Sequence, residues 1–250
     1  MIKLKTNEEI AIMADGGQRL RKVVSALLKI VKPGMTTLEI DELAEELIIK
    51  EGGESSFNKV KGYKWCTCLT INEQAVHTPP SKRVLKNGDV LTIDIGMYYK
   101  GFHTDYSTTF VVGDKKDEKI EKFLQVGKDT LDKAIKMAKA GNRLGEISNV
   151  IEKEIYGNGY FILKELTGHG IGRGLHEDPY VFGFNERPIE KTIVIKPGLV
   201  IAIEIIYSMG SEQIAYEEGI SWSIISADRS LAACFEHTVA IMEDKSIVLT

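Results

Sequence analysis

Four carboxylates in this chain stand where apolar residues would be expected: Asp94 in GDVLTIDI, Asp105 just beyond the turn YYKG, Glu204 in GLVIAIEI and Glu236 in CFEHTVAI. An acid among Val, Ile and Leu is costly to bury unless it is paired or bound to a cation. Two such acids brought face to face would leave one protonated unless a cation lay between them. Two of the 5 histidines, His169 and His176, fall in GHGIGRGLHEDP. Its glycines, each costing roughly 1 kcal/mol in a helix interior, and its proline forbid a helix, so any cooperation between these imidazoles occurs on an extended or turning chain. Three or four carboxylates with one or two imidazoles are too oxygen-rich for a structural zinc site and suit two divalent ions sharing bridging carboxylates. Such a pair, ~3.5 to 4 Å apart, can hold a hydroxide and polarise a carbonyl, the chemistry of amide hydrolysis. The plainer alternatives are acids pointing outward from half-exposed strands and a glycine-rich loop carrying exposed histidines.

The elements that must position these groups recur in two halves. EEIAIMADGGQRLRKVVSALLKIV has helical spacing and stops before Pro33-Gly34. TTLEIDELAEELIIKEGG is a second helix, with Thr36 and Glu39 at capping-box spacing. CTCLTIN, DVLTIDIGMYY and STTFVVG then read as strands. Past Gly113 the helical period returns in KIEKFLQVGKDTLDKAIKMAKA and LGEISNVIEKEIYG, followed by strands in TIVI, GLVIAIEIIYS, ISWSII and CFEHTVAIM. KPGMTTLEI (32–40) parallels KAGNRLGEI (139–147), and GDVLTIDI (88–95) parallels GLVIAIEI (198–205). The pattern predicts one domain of two half-domains, approximately 1–113 and 114–250, related by a pseudo-twofold that would bring Asp94 and Glu204 face to face.

Composition narrows the function. A net charge of -4 gives no reason to expect nucleic acid or an anionic membrane as partner. The N-terminal stretch MIKLKTNEEIAIMADGG breaks its apolar residues with charges, so neither a signal peptide nor a spanning helix is expected, and a cytoplasmic location follows. Cys66, Cys68 and Cys234 cannot all pair within one chain, which fits a reducing compartment.

Five motifs in order carry a family resemblance: INEQAVH with His77, DIGMYYKGFHTD with Asp94 and Asp105, GHGIGRGLHEDP with His169 and His176, KPGLVIAIE with Glu204, and FEHT with Glu236. Over essentially its whole length the chain resembles the type I methionine aminopeptidases, whose pita-bread fold is shared with prolidases and creatinase. The resemblance implies an α+β architecture in which helices cover a curved antiparallel sheet. It implies that Asp94, Asp105, His169, Glu204 and Glu236 hold two divalent ions (Co, Mn, Fe(II) or Zn), with Asp105 and Glu236 bridging. It implies further that His77 and His176 contact substrate and that Glu204 handles the proton of the attacking water. The activity implied is removal of the initiator methionine from nascent proteins with a small second residue. A monomer is expected, and docking on the ribosome is an inherited expectation. His103 reads as turn surface and His237 as a structural strand residue.

By alignment to that family, Tyr63, Cys68, Leu175 and Trp222 line the pocket for the methionine side chain, with His77 at its rim; an apolar, polarizable lining suits a thioether. The match loosens here. Leu175 stands where an aromatic ring is common, Val60 where a tyrosine or phenylalanine often sits, HTPP replaces the usual HGIP, and Ile205 replaces a proline after Glu204. Two alternatives remain in view: a prolidase-like peptidase acting on Xaa-Pro, whose members usually carry an extra N-terminal domain and an Asp where His237 stands, and a non-catalytic pita-bread peptide-binding module.

Overall fold

The structure is a computed structural model describing residues 2–250. Three of its four helices begin at a capping side chain. Helix α1 (Asn7–Ile30) and helix α2 (Thr37–Lys50) each start at a threonine, Thr6 and Thr36, whose hydroxyl accepts the backbone N–H of Glu9 or Glu39 while that glutamate reaches back to the threonine N–H. Helix α3 (Glu118–Met137) is capped by the Asp117 carboxylate, and α4 (Leu144–Gly157) follows after a short turn.

The strands are β1 (Glu54–Ser55), β2 (Thr67–Ile71), β3 (Gln74–Val76), β4 (Val90–Tyr99), β5 (Phe102–Val111), β6 (Phe161–Ile162), β7 (Thr167–Gly170), β8 (Glu177–Phe182), β9 (Val200–Ser208), β10 (Ile214–Tyr216), β11 (Ile224–Ser226), β12 (Ala232–Ile241) and β13 (Ser246–Val248). Ten of them form one antiparallel sheet in the order β1-β4-β5-β12-β9-β7-β8, with β2 also on β4, β6 on β9 and β13 on β12; β10, β11 and β3 make a separate small sheet. The central order β4-β5-β12-β9 reads symmetrically about the β5–β12 contact, because each half contributes one antiparallel pair.

Alternation along the strands divides the sheet into two faces. On the back, Leu91, Ile93 and Ile95 of β4 pack with Leu20, Val24 and Leu27 of α1 and Ile40, Ala44 and Ile48 of α2. Ile201, Ile203 and Ile205 of β9 and Phe235 of β12 pack with Phe123 and Leu131 of α3 and Ile147, Ile151 and Ile155 of α4. The intervening residues, among them Asp94, Glu204 and Glu236, therefore face the other way.

Three expectations need correction. TIVI forms only an isolated bridge, Val194 to Arg143, not a strand. In ISWSII only the last two residues, Ile224 and Ile225, are extended, because Ser223 N–H bonds back to the Ile220 carbonyl and turns the chain. Asp94 and Glu204 do not lie on neighbouring strands: β5 and β12 stand between them. The glycine-rich GHGIGRGLHEDP is non-helical as expected, forming β7, a turning stretch over 171–176 and the start of β8. Among the described residues no helix is long and apolar enough to cross a membrane.

Helix α3 approaches the sheet closely at Gly127, where an added Cβ would lie 2.5 Å from both Phe235 Cδ2 and Tyr207 Oη, the latter donating its proton to the Phe123 carbonyl. Gly127→Ala is therefore expected to destabilise the fold by about 1–3 kcal/mol through overpacking, although alanine is the better helix former. Urea unfolding checks this: the midpoint should fall with the slope unchanged, and a midpoint at or above that of the wild type would remove the packing constraint.

Candidate metal centre and adjoining cavity

The sheet register aligns the acids in one row. Asp94 pairs with Ser107, Ser107 with Glu236, and Glu236 with Glu204, while Asp105 pairs with Gly96 one pleat away from Asp94. On the next strand His169 pairs with Ala202, one pleat away from Glu204. Paired residues share a face, so five strands project these side chains to the same side. At the centre of the row β5 and β12 form only two paired positions, Glu236 with Ser107 and His237 with Tyr106. Hydroxyls bridge the strands to either side. Thr238 Oγ1 accepts the Asp105 N–H at 2.8 Å and donates to the Asp105 carbonyl at 2.9 Å, and Thr109 Oγ1 does the same for Cys234 at 3.0 and 2.8 Å. These bridges hold the two halves together where the ladder is short.

Asp105, His169 and Glu236 are 4%, 5% and 2% exposed and offer ligand atoms all within 4.8 Å of one another. His169 Nε2 lies 3.5 Å from Glu204 Oε1. The His169 Nδ1 is 2.9 Å from the Gly170 carbonyl, which can only accept, so Nδ1 carries the proton and Nε2 turns a lone pair toward the acids. Burial pushes the carboxyls of Asp94, Glu204 and Glu236 well above the usual range and Asp105 up to about 7; neighbouring acids push Asp94, Glu204 and Glu236 further. Burial likewise holds His169 down to about 3, His77 down to about 4, and His176 below its ordinary value, so all three rings are neutral at pH 7. Glu236 Oε1 is buried with no hydrogen-bond partner. A cluster of acceptors facing one another, with an orphaned carboxylate oxygen among them, fits a bound cation. Its oxygen-plus-imidazole donors fit a divalent one.

These residues line a cavity of ≈ 450 Å³ together with every other sequence-predicted site residue: His77, His176, Tyr63, Cys68, Leu175 and Trp222. His77 follows β3, and His176 precedes β8 with its ring edge-on to His169, centroids 4.5 Å apart. Cys68 pairs with Asp94 across β2–β4, so the apolar end begins directly beside the acids. There the buried Tyr63 hydroxyl donates to the Thr67 carbonyl at 2.8 Å, and its ring packs edge-on against Trp222 at 5.5 Å. Trp222 is 39% exposed, at the cavity mouth and not in the core.

Sequence reasoning missed Phe57, Tyr180 and Ile206, which also line the cavity. Phe57 sits in a 3-10 turn (Phe57–Lys59) whose sequence carries no spacing signal. Tyr180 is the cross-strand partner of His169, a pairing that only the sheet register reveals. His103 is corrected: it is buried in β5, with Nδ1 2.9 Å from Ser56 Oγ, because alternation turns it inward. His237 is structural as expected, its ring beside Tyr106 and its Nδ1 3.3 Å from Thr250 Oγ1. Ile205 faces the helices, so its departure from the family pattern lies in the core, away from the cavity.

A buried, acceptor-only cluster beside an apolar pocket on this scaffold defines a metal-dependent hydrolase. Residues 11–243 match the profile of metallopeptidase family M24. A methionine aminopeptidase of Clostridium perfringens is 38% identical over 100% of this chain and 99% of its own, and methionine aminopeptidase 1 of Bacillus subtilis is 37% identical over the same shares. The solved methionine aminopeptidase of Thermotoga maritima superimposes with a TM-score of 0.95 at 34% identity, covering 100% of this chain and 99% of that one. Prolidase from Pyrococcus furiosus shares the fold, with a TM-score of 0.80 at 24% identity over 99% of this chain and 65% of that one. The chain belongs to metallopeptidase family M24, with the pita-bread fold, and its buried cluster of potential ligands fits the use of a divalent metal.

The cluster makes metal-free stability pH-dependent. Asp105 is raised from 3.8 to about 7, so its neutral form favours the fold; that contribution is complete below pH 3.8 and is lost as pH rises through about 7. The other raised acids act in the same direction. The melting temperature of chelator-treated protein is therefore expected to fall by on the order of 10 °C between pH 4 and pH 8, and saturating Mn²⁺ should abolish the fall. Calorimetry with and without metal checks this; a metal-free melting temperature that rises with pH would overturn it.

Proposed function

We propose that this chain is a methionyl aminopeptidase that removes the initiator methionine from nascent chains with a small second residue. The observation that carries the proposal is the contact, within one cavity, between the buried acceptor cluster and an apolar pocket walled by Tyr63, Cys68, Leu175 and Trp222. The names of the full-length relatives support the same reading. It makes the working compartment the cytoplasm, the enzyme a monomer and the substrate a peptide emerging from the ribosome.

Asp94, Asp105, His169, Glu204 and Glu236 would hold two divalent ions. Co, Mn, Fe(II) and Zn all suit such donors. When bound, the ions supply Lewis acidity, which polarises a carbonyl and makes water nucleophilic at neutral pH. The protein's own groups do the rest. Glu204, beside His169, takes the proton of the attacking water. His77 and His176, neutral at working pH, hydrogen-bond the substrate carbonyl and the leaving amide. The aromatic edges of Tyr63 and Trp222 and the Cys68 sulfur receive the thioether, and the walls beside the scissile bond limit the second residue by sterics.

The test is hydrolysis of Met-Ala-Ser and a Xaa-Pro series by metal-free protein and after titration with Mn²⁺, Co²⁺ or Fe²⁺. Release of methionine alone, and only with metal, is expected; metal binding without methionine release would assign the cavity another substrate. Leu175→Phe, which adds a ring beside the thioether, should lower KM for Met-Ala-Ser by up to about tenfold, the range of a sulfur–aromatic contact. An unchanged KM would place Leu175 outside the methionine pocket.

A further inference from the structure

Two cavity residues, His77 and Trp222, hold left-handed backbone conformations, φ 60° and 77°. For a bulky residue other than glycine this is strained, and such strain persists only where the surroundings over-determine it. Each is followed at once by a hydroxyl residue, Thr78 and Ser223, and the two hydroxyls meet at 2.8 Å. Ser223 Oγ lies 2.6 Å from Glu217 Oε2, which as a carboxylate accepts only, so the serine proton goes to Glu217 and Thr78 donates to the serine oxygen. Gln74, on the strand leading to His77, donates its amide to the same Glu217 oxygen at 2.6 Å. Backbone bonds complete the frame: Leu69 N–H to the Thr78 carbonyl at 3.1 Å, and Glu217 N–H to the Ser223 carbonyl at 3.0 Å. The hydroxyl pair is sealed from water, Thr78 being 5% and Ser223 0% exposed.

Thr78 is the second residue of HTPP, where the family this chain resembles usually has a glycine and so no hydroxyl. We propose that the Thr78–Ser223–Glu217 chain of hydrogen bonds is a positioning device that couples His77 to Trp222, so that the ring facing the reacting amide and the ring closing the methionine pocket are set as one unit. Neither hydroxyl touches substrate. Thr78 acts through His77, and Ser223 acts through Trp222. Breaking the bond between them frees both strained residues to relax, and the catalytic and pocket contacts loosen together. The kinetic part of this inference rests on the aminopeptidase reading; the geometric part does not.

The protein has 2 tryptophans, so Trp65→Phe leaves Trp222 as the sole tryptophan, read by exciting at wavelengths that tyrosine does not absorb. In that background, without substrate, Thr78→Val should shift Trp222 emission to the red and increase its quenching by acrylamide; Thr78→Ser should restore both. Ser223→Ala, which breaks the same bond from the other side, should reproduce the change and carries the test if the valine variant does not fold. With Mn²⁺ and Met-Ala-Ser, Thr78→Val should lower kcat about tenfold, the worth of one buried hydrogen bond. In a His77→Ala background the same substitution should change kcat less than about twofold, because the group it positions is gone. Unchanged emission in both hydroxyl variants, or an equal tenfold loss with and without His77, would overturn the proposal. Absence of methionine release by the wild type would instead sink the aminopeptidase reading and leave the emission experiment to decide the coupling.

Discussion

The structure turns on holding four carboxyl groups in one buried row, against their mutual repulsion and the cost of dehydrating them. The apolar back of the same strands offsets that cost. Ile93, Ile95, Ile201, Ile203, Ile205 and Phe235 are buried beneath the helices, each worth roughly 1.5–3 kcal/mol. Strand alternation makes the two demands compatible, since each acid lies between core residues that point the opposite way. Neighbouring strands ~4.7–4.9 Å apart are also a natural frame for acids that must share cations.

The row crosses the seam between the two antiparallel pairs. There β5 and β12 exchange few ladder bonds, and Thr238 and Thr109 supply the missing pairing through their hydroxyls. A threonine in a strand usually reads as a surface or propensity choice. Here its oxygen serves both as acceptor and as donor to the opposite backbone, directly beside Asp105 and Cys234. The metal end of the cavity is thus built wholly from sheet, with no loop needed to set its acids.

The substrate end is built differently. Phe57, Val60 and Tyr63 come from the segment before β2, Leu175 and His176 from the turns before β8, and Trp222 from the turn before β11. Loops tolerate side-chain change without moving the scaffold beneath them. This division accounts for where the chain departs from the pattern it resembles: Val60, Leu175 and Thr78 sit at the loop-built end, Ile205 in the back core, and none of the four acids or the histidine of the row is among the departures.

The amino-acid sequence alone determined the helices and the Thr36 cap of the second, the principal strands, the non-helical course of GHGIGRGLHEDP and the acids whose burial calls for pairing or a cation. Each of these rests on short-range physics: capping geometry, periodicity, glycine and proline constraints, and the cost of a charge among apolar neighbours. The five motifs, through the family resemblance, supplied the candidate site residues, since only a family pattern joins residues so far apart in the chain. Tertiary structure decided what depends on register. It put β5 and β12 between Asp94 and Glu204, turned His103 inward, reduced TIVI to a single bridge, and brought Phe57 and Tyr180 to the cavity. It also joined Thr78 to Ser223, residues whose sequence neighbours give no sign of one another. Local sequence carries no record of which strand lies beside which, because that choice is made by the whole buried surface at once.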